Sequence, residues 1–254
     1  MRFPFAFVPT TTPRSAIGGV GGRCDTDAVS LTVAALADRA RALVSGGRRA
    51  ILGITGAPAA GKTTLAEHLL AVLAPAPPPG LPAGAWVAHV PMDGFHLADV
   101  ELERLGLRDH KGAPDTFDVL GYANLLRRLR EDIDDIVYAP GFERGIEQPI
   151  AGAIGVPLSA RLVVTEGNYL LLEGPRWSRV RPLLDEVWYA DSDHPERLRR
   201  LVERHVRFGK DEAVAFAWAT GTDERNAALI AARRNAADLI IPADLIRAIG
   251  SPSR

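Results

Sequence analysis

The run Gly56-Ala57-Pro58-Ala59-Ala60-Gly61-Lys62-Thr63 fits the spacing G-x-x-x-x-G-K-[ST]. Glycines, a lysine and a hydroxyl at these intervals suit the holding of a polyphosphate. Backbone N–H groups in such a turn, and at the start of a helix, point at phosphate oxygens. Lys62 then reaches the β- and γ-phosphates, Thr63 offers its hydroxyl to Mg²⁺, and Thr64 is in range of the α-phosphate. Ala59 occupies a position where glycine is frequent, and it is penalised if the turn needs positive φ there. Lysine is found only at 62, 111 and 210 in this arginine-rich chain. Each compact ammonium therefore asks for its own reason.

Two acids stand where they could act on that phosphate. Asp93, in Pro91-Met92-Asp93-Gly94-Phe95-His96, directly follows an apolar run over 86–90. A carboxylate at that strand's end can take the proton of a hydroxyl attacking a γ-phosphate. An Asp-Gly turn is the plainer alternative. Glu166 ends another apolar run, where a carboxylate near Thr63 can hold a hydrated Mg²⁺; a surface acid is the alternative. His96 neighbours Asp93 and is a candidate substrate contact, although a lone histidine is more often structural. No spacing among the six histidines suggests zinc.

These residues need a frame, and the apolar runs supply one. Segments 50–55, 86–90, 161–165, 186–190 and 239–241 have strand length and read as continuous apolar runs rather than alternating ones. That is the signature of parallel strands covered on both faces. Helical stretches separate them. Ser30 is placed to cap a helix through Leu31, Leu36 and Leu43, and Lys62–Leu73 reads as the helix after the phosphate turn. The expected fold is α/β, a three-layer sandwich on a mostly parallel five-stranded sheet, with ligands at the carboxyl ends of the strands. Residues 1–27 read as a flexible extension, residues 28–248 as a single domain, and 74–84 as a Pro/Gly surface linker.

Composition limits the alternatives. A net charge of -1 argues against nucleic acid as the partner. A single cysteine, Cys24, excludes an intrachain disulfide and fits a reducing, cytoplasmic setting. No apolar run is long enough to cross a bilayer, and the proline-interrupted start does not fit a signal peptide. The GTPase tetrapeptide Asn-Lys-x-Asp and an ABC-type signature are both absent.

Together, Gly56–Thr64, Met92-Asp93-Gly94-Phe95-His96-Leu97 and Thr165-Glu166-Gly167-Asn168-Tyr169 resemble the uridine kinase, pantothenate kinase and phosphoribulokinase group of P-loop kinases. Within it, the chain is most similar to the nucleoside/nucleotide kinase-like branch that includes fructose-transport kinase-like proteins. The resemblance spans about residues 31–244. It implies the P-loop nucleoside triphosphate hydrolase fold with a helical lid at about 194–225. It also implies ATP and Mg²⁺, Asp93 as catalytic base, and Glu166 beside the metal's water shell.

On the acceptor side, 108–118 resembles the Lys-Gly-x-Pro segment of pantothenate kinase-like chains and brings in Lys111. Asp118 there is equally a helix N-cap. The stretch 138–149 is similar to the group's excursion over the acceptor pocket. Tyr138, Arg144, Glu147 and Asn168 are its candidate substrate contacts, with Arg144 suited to a carboxylate or phosphate. An exposed ion pair on a hairpin is the alternative. On the helix opened by Asp193 and Pro195, Arg197, Arg200, Arg204 and Arg207 share one arc. They resemble lid arginines, with Arg200 and Arg204 the leading catalytic candidates, or they form a solvated face. Lys210 reads as a helix-end residue, and no role follows for Asn226.

The functional expectation is an ATP-dependent kinase of a small hydroxylated metabolite: nucleoside, pantothenate-like, sugar or glycerate. No membrane partner is expected, and a homodimer is left open. The alternative is a nucleotide-binding regulator or assembly factor with slow ATP hydrolysis.

Overall fold

The computed structural model of the protein describes residues 31–250. The expected extension over 1–27 and the expected cap Ser30 lie outside them. The first described helix, α1 (Val33–Ala42), is capped by Thr32, whose hydroxyl accepts from the Ala35 N–H at 3.1 Å.

Strand β1 (Ala50–Thr55) enters the glycine-rich turn, and helix α2 (Lys62–Leu73) leaves it. The chain continues through β2 (Val87–His89), α3 (Asp99–Leu105), α4 (Val119–Glu131), a hairpin of β3 (Ile136–Glu143) and β4 (Gln148–Pro157), then β5 (Leu162–Gly167) and β6 (Glu186–Ala190). Helices α5 (His194–Arg207), α6 (Glu212–Trp218) and α7 (Glu224–Ala231) precede β7 (Leu239–Ile241) and α8 (Ala243–Gly250).

Among the described residues, the main sheet is five-stranded and wholly parallel, in the order β2-β5-β1-β6-β7. Its side chains alternate between two cores. Ile51, Val163 and Val187 pack with α4 on one face. Leu52, Ile54, Val164 and Trp188 pack with α1, α2 and α8 on the other. Every residue of β1 and β5 is buried, which explains their unbroken apolar runs. The edge strands β2 and β7 are only partly covered, and β2 is shorter than the run 86–90. Trp86, just before β2, accepts from the Arg161 and Leu162 N–H groups through its carbonyl, and its buried indole N–H donates to the Leu73 carbonyl at 3.0 Å.

The hairpin goes beyond the expected architecture. It forms a second, two-stranded antiparallel sheet reaching from 136 to 157. Glycine, alanine and proline dominate β4, so its sequence carries little strand propensity. Asp118 accepts from the Gly121 N–H at 2.8 Å and caps α4.

Candidate active site

Strand order places the site. The carboxyl ends of β1, β2 and β5 lie side by side, and each carries one expected group: the glycine-rich turn, Asp93 and Glu166. They open into a cleft of about 790 Å³. Pro58, Ala59, Gly61, Lys62, Thr63 and Thr64 line it from the turn, while Gly56, Ala57 and Ala60 are buried and do not. The backbone adopts φ +61° at Ala59 and +89° at Gly61. The left-handed conformation suspected at Ala59 is therefore real.

The Lys62 ammonium folds back onto its own turn, donating to the carbonyls of Gly56 and Ala57, both at 3.0 Å. The side chain is buried, and desolvation lowers its pKa to about 8 despite the carboxylates of Glu166 and Asp93. The Thr63 hydroxyl donates to Glu166 Oε1 at 3.1 Å. Burial and the Asp93 charge push the Glu166 carboxyl up to about 7, against the pull of Lys62 and Thr63. Asp93 behaves oppositely. Burial works against its ionisation, but His96, Arg144, Lys62 and Arg204 together hold the carboxyl below its ordinary value. Two carboxyls in one cleft are thus pushed apart in acidity.

Asp93 sits on a 3₁₀ turn over 92–95, and the hairpin is seated on that turn. A Cβ on Gly94 would lie 2.2 Å from the Pro140 carbonyl oxygen, at the bulge between Ala139 and Gly141. Only glycine permits this approach. The contact brings Arg144 to 3.3 Å from Asp93 Oδ2. The His96 ring lies between Phe117 and Phe142, with centroids 4.0 and 4.9 Å away, and its Nδ1 is 2.7 Å from the Asp93 carbonyl. Burial lowers its pKa and favours the neutral ring. Lys111 donates to Asp99 at 2.6 Å and to the Glu147 carbonyl, 5.7 Å from the centre of the Phe142 ring. Asn168 also lines the cleft.

Tyr138 does not. Strand alternation buries Val137 and Ala139 and leaves Tyr138 60% exposed on the hairpin's other face, away from the residues of the cleft. This corrects its expected place among the substrate contacts.

The arginine arc on α5 divides. Arg200, Arg204 and Arg207 line the cleft. Arg197 is buried instead, pairing with Glu224 and reaching the Pro58 carbonyl at 3.4 Å. Asp193 occupies the N-cap position without a capping side-chain bond.

Sequence reading missed several lining residues. Lys210 does follow the end of α5, but its ammonium also lies 5.1 Å from the centre of the Trp218 ring, and both face the cleft. The Asp223 carboxylate accepts from His205 Nε2 at 2.7 Å, and Asp223 closes a π-helical turn over 219–223. Such turns concentrate at functional sites, but nothing in their sequence announces one. Asn226 now has a place: buried, it donates to the Gly112 carbonyl at 3.3 Å, which also accepts from the Tyr169 hydroxyl at 2.5 Å. Core residues thereby anchor the loop that carries Lys111.

A parallel sheet of this order, with a glycine-rich turn between β1 and α2 wrapped around a lysine, is the architecture of P-loop kinases. No family model matches the chain. A Schizosaccharomyces pombe protein named as a candidate uridine kinase is 35% identical over 186 residues, 68% of this chain and 74% of its own length. An Aspergillus versicolor ATP-dependent kinase-like protein is 33% identical over 160 residues, 59% of this chain and 93% of its own. The crystal structure of a candidate fructose transport system kinase from Silicibacter sp. TM1040 superposes with a TM-score of 0.73 at 37% identity. The match covers 84% of this chain and 100% of that one. The chain belongs to the uridine kinase-like group of P-loop kinases.

Among the described residues, no helix is long and apolar enough to cross a membrane, and no cluster of three or more His, Cys, Asp or Glu could hold a metal ion.

Proposed function

We propose that this kinase moves the γ-phosphoryl group of ATP to a hydroxyl of a small metabolite. One observation carries the reading: Asp93, Lys62 and the Thr63–Glu166 pair line one cleft at the carboxyl ends of β1, β2 and β5, so a base, a phosphate-binding ammonium and two hard oxygen donors face the same space.

Lys62 leaves the carbonyls of its turn and pairs with the β- and γ-phosphates. The acceptor hydroxyl bonds Asp93, and its oxygen attacks the γ-phosphorus. The bond from that phosphorus to the β–γ bridging oxygen breaks. ADP leaves with the electron pair, and the hydroxyl proton passes to Asp93. Arg200 and Arg204 neutralise charge on the transferring group. Thr63 and Glu166 fit Mg²⁺, since a hydroxyl and a carboxylate 3.1 Å apart are hard oxygen donors that leave room for waters and phosphate. When bound, the ion neutralises phosphate charge. His96, Lys111, Arg144, Glu147 and Asn168 surround the acceptor.

Uridine, fructose, pantothenate and glycerate form the acceptor panel. ADP formation from Mg-ATP is the measurement. One acceptor should raise the rate far above background. Asp93→Asn should remove the rise, by about 10²-fold or more, and Lys62→Ala should abolish nucleotide binding. ADP formation that no acceptor raises, and that Asp93→Asn leaves untouched, would favour a nucleotide-binding regulator instead.

A further inference from the structure

Arg144 occupies the group that must be free for catalysis. Its guanidinium lies 3.3 Å from Asp93 Oδ2, the carboxylate that takes the acceptor proton in the function proposed above. An oxygen engaged by a guanidinium is a poor acceptor for a hydroxyl. The pair is nevertheless easily exchanged. Its length is beyond the usual N–H···O range, and the Arg144 side chain is 41% exposed. The arginine also has a resting place, with its guanidinium carbon 5.9 Å from the centre of the Phe142 ring.

An uncharged acceptor that displaced Arg144 would give it no anion in exchange for Asp93. The neighbouring charges make that costly. Lys62, Arg144 and Arg204 all line the cleft around Asp93. Three cations converge here, and separating one from its carboxylate calls for a replacement anion. Guanidinium groups favour carboxylate and phosphate oxygens for this exchange.

We propose that the acceptor is a small hydroxylated acid whose own carboxylate or phosphate takes Arg144 away from Asp93. The same exchange frees the base, so the empty site is capped against transfer to water. This inference rests on Asp93 being the base.

The test uses matched pairs that keep the hydroxyl and differ in the anion: glycerate and glycerol, pantothenate and pantothenol, fructose 6-phosphate and fructose. ADP formation is followed for the full chain and for Arg144→Gln, Asp93→Asn and the double variant, with and without acceptor. In the unmodified protein the acid of one pair should exceed its neutral partner by about 50-fold or more. Carboxylate and phosphate members tell the two anions apart. Arg144→Gln should bring that ratio below about fivefold through the KM of the acid. It should also raise acceptor-free hydrolysis about fivefold, and the double variant should lose that rise.

Asp93-dependent phosphorylation of a neutral partner at equal rate overturns the proposal and leaves the kinase reading standing. So does an Arg144→Gln variant whose only defect is a higher KM for ATP, because the arginine then serves the nucleotide. Unchanged acceptor-free hydrolysis in Arg144→Gln removes the cap. ADP formation indifferent to every acceptor and to Asp93→Asn ends both readings.

Discussion

At the scale of single residues, two strained or displaced groups are the most informative. Ala59 carries φ +61°, a conformation that costs an L-residue roughly 1–2 kcal/mol. Ala59→Gly relieves this and gives back part of the gain as unfolded-chain entropy. A net stabilisation of about 0.5–1 kcal/mol is expected in urea unfolding. Glu166 makes a pH prediction. Its folded-state carboxyl titrates near 7, above the ordinary 4.5, because burial and Asp93 oppose its charge. A raised acid stabilises the fold fully below the unfolded value and loses that contribution as pH rises through the folded one. The nucleotide-free protein should therefore lose stability between about pH 5 and pH 8. Glu166→Gln should flatten that slope in thermal melts while abolishing turnover. A slope that persists in the variant would assign it elsewhere.

At the scale of elements, the hairpin decides the acceptor side. Its tightest backbone approach to the site is the Pro140 carbonyl against Gly94. Gly94→Ala pushes β3 off the 3₁₀ turn and moves Arg144, Phe142 and Glu147 relative to Asp93. Displacements of about 1 Å from a reacting geometry cost on the order of 10²-fold in rate. The expected result is that loss in kcat/KM for the acceptor, with ATP binding retained in a nucleotide titration. Little of this element was legible. Gly94 looks like half of a common Asp-Gly turn, and β4 reads as loop because its residues are glycine, alanine and proline. Tyr138 was misplaced for a related reason. A residue within a motif-like stretch faces in or out according to strand register, which pairing with β4 sets.

At the scale of the whole molecule, Arg197 ties the phosphate turn to α7. It is buried, pairs with Glu224 at the start of α7, and reaches the Pro58 carbonyl in the phosphate turn. Arg197→Met should cost about 2–3 kcal/mol, since Glu224 loses its main partner in a largely covered site. It should also weaken nucleotide binding, because the turn loses a strut. Unfolding curves and a nucleotide titration on the same variant check both effects. Unchanged affinity at reduced stability would make Arg197 a purely structural residue.

What the sequence determined by itself was the class of protein and the position of its chemistry along the chain. Five apolar runs, a phosphate turn between the first strand and its helix, and acids at two strand ends are local patterns. Local patterns survive folding, because strand burial and turn geometry are encoded within a few residues. What only the tertiary structure decided was which distant groups share a cleft. Arg144 meets Asp93 across 51 residues, and Asn226 holds Gly112 across 114. Arg197 leaves the arc of its helix neighbours to brace the phosphate turn. Those contacts depend on strand order, hairpin register and the docking of α7, and no short stretch of sequence carries any of the three.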